Sequence, residues 1–160
     1  MAKNKEEKTN VMRTLDQKKI PYTAHSYDPD GPIDGVSVAQ TLGQPPERVF
    51  KTLVTKAASG AYYVFDIPVA ENLDLKKAAR AVGEKSVAML PQKELLGLTG
   101  YVHGGCSPVG MKKQFPTVFH ETALEYDAIC VSAGKIGAQV ECSPQALIAL
   151  LRAKTADVIV

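Results

Sequence analysis

The chain has 160 residues, 45% of them hydrophobic, and a formal net charge of only +2. Those totals suit one soluble domain around one substantial core, and they exclude a strong general attraction to nucleic acid; any polyanion partner needs a local basic patch. No apolar run approaches membrane-spanning length and the start, Met-Ala-Lys-Asn-Lys-Glu-Glu-Lys, has no signal-peptide core, so no membrane segment is expected. The three cysteines, Cys106, Cys130 and Cys142, form neither a Cys-x-x-Cys pair nor a zinc spacing, which fits a reducing, cytoplasmic setting.

Residues 1–8 are charged and read as a flexible N-terminus ahead of one domain over 9–160. Thr9 or Asn10 caps a helix carrying Val11, Met12 and Leu15, which Pro21 stops. Tyr22 to Tyr27 reads as a short strand, and residues 28–35 are dense in turn formers. Ser37 is the expected cap of a short helix through Leu42, closed by Gly43, and Pro45-Pro46 starts another turn.

Residues 48–55 read as a strand. Phe50, Thr52 and Val54 share one face; Val49, Lys51 and Leu53 share the other. Both faces are largely apolar, as in a covered central strand, so Lys51 is the odd residue. A buried ammonium needs a partner or a ligand; the plainer alternative is a lysine that reaches the rim or pairs with an acid. Ser59-Gly60 turns the chain into a second strand, Ala61 to Pro68. Leu75, Ala78, Ala79 and Val82 then repeat at helical spacing, with Gly83 just past the end and Lys76, Lys77 and Arg80 on the opposite face. Lys85 to Leu90 reads as a strand, and Pro91 opens a short helix with Leu95 and Leu96.

Residues 97–116 hold Gly97, Gly100, Gly104, Gly105 and Gly110, five of the chain's twelve glycines. The pair Gly104-Gly105, followed by Ser107-Pro108, favours a loop with free N–H groups that can hold an anion or a developing oxyanion. The plainer reading is a compact turn; Lys112 and Lys113 directly behind it favour a site that meets negative charge. Thr117–Phe119, Ala128–Ala133 and Ala138–Cys142 read as strands, the last two joined by Gly134-Lys135-Ile136-Gly137. Ser143 and Pro144 start a helix with Leu147, Leu150 and Leu151 inward, and Asp157–Val160 is the expected edge strand. With no repeat and no linker, the pattern is one α/β domain around a mixed sheet.

The chemistry is then a matter of elimination. His25, His103 and His120 are isolated in sequence, so no metal is expected. The phosphate-binding Gly-x-x-x-x-Gly-Lys-Ser/Thr is absent, and Gly100-x-x-x-Gly104-Gly105 does not match the dinucleotide fingerprint. Cys106 is a candidate nucleophile, with His103 or His120 as its base, but no spacing supports such a pair. Cys130 and Cys142 read as small core residues.

Five motifs in order carry a resemblance: Lys19-Ile20-Pro21-Tyr22; Val49-Phe50-Lys51-Thr52-Leu53-Val54; Leu73-Asp74-Leu75-Lys76-Lys77-Ala78-Ala79; Thr99-Gly100-Tyr101 with Gly104-Gly105-Cys106-Ser107-Pro108-Val109-Gly110-Met111-Lys112-Lys113; and Val131-Ser132-Ala133-Gly134-Lys135. From about Asn10 to Ile159 the chain resembles the YbaK family of aminoacyl-tRNA deacylases and the editing domain inserted in bacterial prolyl-tRNA synthetases. The resemblance implies a mixed, mostly antiparallel, barrel-like sheet flanked by helices. It implies trans-editing of Cys-tRNA(Pro), with Cys-tRNA(Cys) as a further substrate, in which the substrate's own thiol attacks the ester and leaves as a thiolactone. No cofactor and no protein nucleophile are then needed.

Under that resemblance Lys51 and the Gly104 and Gly105 amides serve the reacting ester. Tyr27, Thr52 and Ser132 line the pocket, with Gln139 near them on the hairpin. Lys76, Lys77, Arg80, Lys112, Lys113 and Lys135 are candidates for tRNA phosphate. Prolyl-tRNA synthetase, in a ternary complex with its tRNA, is the expected partner. Two departures from the family pattern stand out: Ala133 where a second glycine is common, and Ile136 where a basic residue is common. The alternatives are removal of another small amino acid such as alanine from tRNA(Pro), a non-catalytic tRNA-binding module, and a Cys106 hydrolase.

Overall fold

The computed structural model describes residues 8–160; the N-terminal segment expected to be flexible lies outside them except for Lys8. Thr9 caps α1 (Asn10–Gln17), its hydroxyl accepting from the Met12 N–H, and Val11, Met12 and Leu15 are buried. Then come β1 (Tyr22–Ser26) and α2 (Gly35–Thr41). The cap of α2 is Asp34 rather than Ser37: the Asp34 carboxylate accepts from the Ser37 N–H at 3.1 Å. An Asx cap is as favourable as a serine one, and starting earlier adds a turn of helix. A 3-10 turn at Pro46–Arg48 leads into β2 (Phe50–Ala57), which reverses at Ser59-Gly60 into β3 (Tyr62–Pro68).

Asp74 caps α3 (Leu75–Val82) by accepting from the Lys76 and Lys77 N–H groups, and Gly83 closes it at φ +73°. Ala78 and Ala79 face inward as the spacing requires, but Leu75, in the first turn, is exposed. β4 (Val87–Met89), α4 (Gln92–Thr99) and β5 (Thr117–His120) follow. A short 3-10 turn leads to the hairpin of β6 (Ile129–Ser132) and β7 (Ala138–Cys142). α5 (Pro144–Leu151) starts at a Ser143 cap, and β8 (Lys154–Ala156) comes after it.

The strands form two sheets, ordered β4-β2-β3-β5-β8 and β1-β7-β6. Pairing is antiparallel except for β3 with β5 and β5 with β8. Among the described residues one bridge, Val49 to Cys130, joins the sheets, so the arrangement is mixed and mostly antiparallel but is not a closed barrel. The edge strand lies at Lys154–Ala156, not at Asp157–Val160, where only Ile159 bridges to Leu73. Parallel pairing with β5 captures the chain as soon as α5 ends, and β5 leaves no room for a later register.

Apolar residues sort by strand alternation. Phe50, Val54, Val64 and Phe119 meet Ile129, Val131 and Val140 of the smaller sheet, closed by α1 and by Leu147 and Leu151 of α5. The opposite face of the larger sheet packs Phe65, Ile67 and Val118 on Ala78 and Ala79 of α3. A third cluster, Ala39, Val49, Val69 and Cys130, forms where α2 crosses the junction of the sheets. No helix among the described residues is long and apolar enough to cross a membrane. Phe65 is fully buried, and Phe65→Ala is expected to lower unfolding free energy by about 3–5 kcal/mol, read from the urea midpoint.

Candidate functional site

A cavity of about 360 Å³ opens where the start of β2, the approach to α2, the loop after α4 and the β6–β7 hairpin converge. Tyr27, Lys51, Thr52, Gly104, Ser132 and Gln139 all line it. The chain therefore brings to one wall residues as far apart in sequence as Tyr27 and Gln139. The rest of the lining is mainly apolar, including Ile33, Val36, Val38, Leu53, Val69 and Leu95. A largely apolar cleft with a few convergent polar groups is the usual form of a small-ligand site.

Lys51 is half-buried on β2, and no described residue holds its ammonium in a hydrogen bond or ion pair. Burial lowers its pKa, and the Glu71 carboxylate only partly opposes that shift. A desolvated, unpaired ammonium on a cavity wall is held ready for an anionic or polarised oxygen.

The glycine loop divides into two roles. Gly104 lines the cavity at φ +91°, and its N–H has no acceptor among the described residues. The Gly105 N–H, by contrast, donates to the Val102 carbonyl at 3.0 Å, so the expected pair of free amides is reduced to one at these two positions. Gly105 is needed for closeness instead. A Cβ there would meet the Ile136 nitrogen at 3.0 Å and Lys135 backbone carbon at 3.1 Å. The loop thus sits directly on the β6–β7 turn, and Ile136 and Ile33 pack against Gly104.

Beneath Thr52 lies a residue that sequence reasoning passed over. Asp66, paired with Thr52 in the β2–β3 register, is fully buried, and its Oδ1 accepts from the Thr52 hydroxyl at 2.5 Å. Its Oδ2 is buried with no partner among the described residues. Burial pushes the Asp66 carboxyl up to about 7, with the Thr52 hydrogen bond working the other way. The available signal was Asp66 alone among the apolar residues Val64 to Pro68.

Cys106 also lines the cavity, yet burial, and then the Asp66 charge, push its thiol up to about 12. That is the opposite of an activated nucleophile. Of its two candidate bases, His103 lines the cavity, but His120 is buried beside β8, its Nδ1 accepting from the Val158 N–H at 3.3 Å. Burial likewise raises Cys130 and Cys142 to about 12.

On the hairpin, the Ser132 hydroxyl accepts from the Gly134 N–H at 3.1 Å. Gln139 is buried, and its amide oxygen accepts from Gln44 Nε2 at 2.7 Å, which leaves its NH2 group to offer the cavity. Outside the cavity, His25, separate in sequence from other ligand types, meets Cys130 and Glu141, with ligand atoms within 4.8 Å of one another. His25 Nε2 lies 2.8 Å from Glu141 Oε1, and the Arg48 guanidinium holds Glu141 Oε2 at 3.2 Å. These three side chains have the donor types for a metal, but the Arg48 charge already balances the carboxylate.

None of the six basic candidates lines the cavity. Lys135 is exposed on the turn that supports Gly105. Lys112 and Lys113 are exposed after the loop, with Lys112 Nζ donating to the Gly97 carbonyl at 3.3 Å. Lys76 and Arg80 are exposed on α3, which packs on the other face of the large sheet. Lys77 is committed to the fold: its Nζ donates to Asp157 Oδ2 at 3.0 Å and to the Ile159 carbonyl at 2.8 Å.

Residues 34–150 match the family model described as an aminoacyl-tRNA editing domain. A relative from Enterococcus faecalis, EbsC, whose name proposes Cys-tRNA(Pro)/Cys-tRNA(Cys) deacylation, is 47% identical over 99% of this chain and 98% of its own length. A crystal structure of a proposed trans-editing enzyme for prolyl-tRNA synthetase matches with TM-score 0.80 and 27% identity, covering 94% of each chain. That of a hypothetical protein matches with TM-score 0.86 at 23% identity, over 94% of this chain and 99% of its own, which supports the fold alone.

Asp66 makes a stability prediction. Its folded pKa, about 7, lies above the ordinary 3.8, so the folded state binds the extra proton between those values. Its stabilising contribution is complete below about pH 4 and lost as pH rises through about 7. Asp66→Asn stays neutral throughout. The melting temperature of that variant is expected to gain on the wild type between pH 5 and pH 8, by the equivalent of a few kcal/mol on the order of magnitude. A constant offset across that range would mean that Asp66 does not titrate there.

Proposed function

The chain belongs to the aminoacyl-tRNA editing-domain family, and from that premise we propose that it clears cysteine mischarged onto tRNA(Pro), acting in trans. Its reaction is deacylation of an aminoacyl-tRNA. Cys-tRNA(Cys), in the name of the Enterococcus faecalis relative, is the second substrate. What carries the reading is the cavity that gathers Lys51, Thr52, Gly104, Ser132 and Gln139, with the Cys106 thiol on its wall held protonated. An apolar cleft of this size suits a small aminoacyl group, and editing is needed because a synthetase pocket gains only about 1–3 kcal/mol from so small a side-chain difference.

The substrate supplies the attacking group. Its thiol adds to its own ester carbonyl, the carbon–oxygen bond to the ribose breaks, and a thiolactone leaves. The protein's share is to hold the thiol against the carbonyl, an effective-molarity contribution, and to stabilise the oxyanion. The Lys51 ammonium and the Gly104 N–H serve that oxyanion. Tyr27, Ser132 and the Gln139 NH2 position the aminoacyl group and terminal adenosine, and Gly105 shapes the loop. Lys135, Lys112 and Lys113 meet phosphate near the mouth; Lys76 and Arg80 serve a more distant part of the tRNA, and Lys77 adds charge there from its tethered position. With so small a net charge, binding is weak and salt-sensitive, and prolyl-tRNA synthetase supplies selectivity for tRNA(Pro) in a ternary complex. Such a substrate puts the work in the cytoplasm.

Incubation with Cys-, Ala- and Pro-tRNA(Pro) is expected to release cysteine thiolactone from the first and to leave Pro-tRNA(Pro) intact. Rapid turnover of Ala-tRNA(Pro) would shift the specificity to small side chains in general, and binding without hydrolysis would reduce the protein to a tRNA-binding module. Lys51→Ala is expected to lower single-turnover deacylation by roughly 100- to 1,000-fold, as for loss of one oxyanion donor. Near-normal rates would remove Lys51 from the mechanism. Cys106→Ser is expected to keep thiolactone release; an inactive, folded variant would restore the thiol hydrolase.

A further inference from the structure

We propose that Asp66 takes up, through the Thr52 hydroxyl, the proton that the substrate thiol must lose as it attacks the ester. The inference rests on the self-cleavage reading of the site and adds a base to it. Three observations carry it. Thr52 lines the cavity, while Asp66 lies wholly behind it, so the Thr52 hydroxyl is the hydrogen-bonded link between the cavity and the carboxyl. The two side chains are held at 2.5 Å by their pairing across β2 and β3. The second carboxyl oxygen has no partner among the described residues, whereas a carboxyl kept only to brace the fold has its oxygens satisfied.

The direction of the hydrogen bond fixes the polarity. With Asp66 ionised, Thr52 gives its proton to Oδ1 and turns oxygen lone pairs to the cavity. It is then an acceptor for the thiol S–H. As sulfur bonds to the carbonyl carbon, the thiol proton passes to Thr52 Oγ1 and the proton of Thr52 passes to Asp66. When the tetrahedral adduct collapses and the carbon–oxygen bond to the ribose breaks, the same two transfers reverse and protonate the departing ribose oxygen. The carboxylate is regenerated and no other reactant is consumed.

The other groups around Asp66 do not suit the task. Cys106, the titratable group that interacts with Asp66 from the glycine loop, holds its own proton too tightly. Lys51 lies on the opposite face of β2 from Thr52, and Phe119, paired with Asp66 on β5, carries no charge. A buried carboxyl held near neutrality is matched to proton transfer at physiological pH, where an ordinary aspartate is too weak a base.

The test is the pH profile of thiolactone release from Cys-tRNA(Pro) between pH 5.5 and 9, with spontaneous ester loss subtracted. It is run on the wild type, Asp66→Asn, Thr52→Val and Thr52→Ser, each checked for a cooperative melt. The wild-type rate is expected to rise through an ionisation near neutrality. Asp66→Asn and Thr52→Val are expected to lose that limb, falling about 100-fold at pH 7 and closing on the wild type near pH 9, where the thiol ionises unaided. Thr52→Ser keeps the hydroxyl and is expected to keep the limb. If both disabling variants lower the rate by one factor at every pH, or not at all, the relay is overturned and Asp66 is only structural. If Asp66→Asn does not melt cooperatively, Thr52→Val carries the same decision. A wild type that releases no thiolactone overturns the self-cleavage reading itself, an outcome distinct from an active wild type with an unmoved profile in the variants.

Discussion

Strand β2 has no free side, and the site depends on that. It pairs with β3 and β4 along its edges, and just before it Val49 bridges to Cys130 of the smaller sheet. Its side chains alternate between the core shared by both sheets and the face covered by α3. Polar groups at the start of such a strand are partly cut off from water, so a partner or a ligand stabilises them. Thr52 finds Asp66, and Lys51 reaches the cavity with no protein partner among the described residues. The same desolvation that makes the position costly lowers the Lys51 pKa and raises that of Asp66.

The cavity's other walls are fixed by close contacts. The approach to α2 crosses the sheet junction so tightly that a Cβ on Gly35 would come within 2.4 Å of the Val69 side chain. That contact brings Val36 and Val38 over the cleft. Across the opening, the glycine loop rests on the backbone of Lys135 and Ile136. Ile136, in place of a basic residue, therefore has a packing role against Gly104, and Lys135 is the basic residue left on that turn. Ala133, in place of a glycine, is fully buried and keeps its ladder bond, its N–H donating to the Ala138 carbonyl at 3.0 Å.

Much of this was legible in the residues because local rules dominate there. Thr9, Gly83 and Ser143 act as the caps they resemble, and alternation along β2 separates Phe50 and Val54 from Lys51 and Leu53. Six of the residues assigned to the ester and its pocket line one cavity. What stayed hidden required tertiary pairing. Asp66 gains its character only from the register that sets it under Thr52 and from the loop that closes over it. The Gly105 N–H is lost to Val102 by a turn that glycine content does not reveal. His25 meets Cys130 and Glu141 only because β1 adds to β7. The final strand was displaced because parallel pairing with β5 outranks the propensity of the last four residues.

The three cysteines have a consequence for how the protein endures its own substrate. All are buried and all hold their protons far above neutrality. Under the proposed self-cleavage, a protein that admits a cysteinyl ester and discharges an acylating thiolactone runs a risk of self-poisoning. A thiolate on the wall would intercept the carbonyl or exchange with oxidised cysteine, leaving the cleft plugged by a covalent adduct. By keeping Cys106 protonated on the cavity wall, the fold leaves it unreactive beside such a guest.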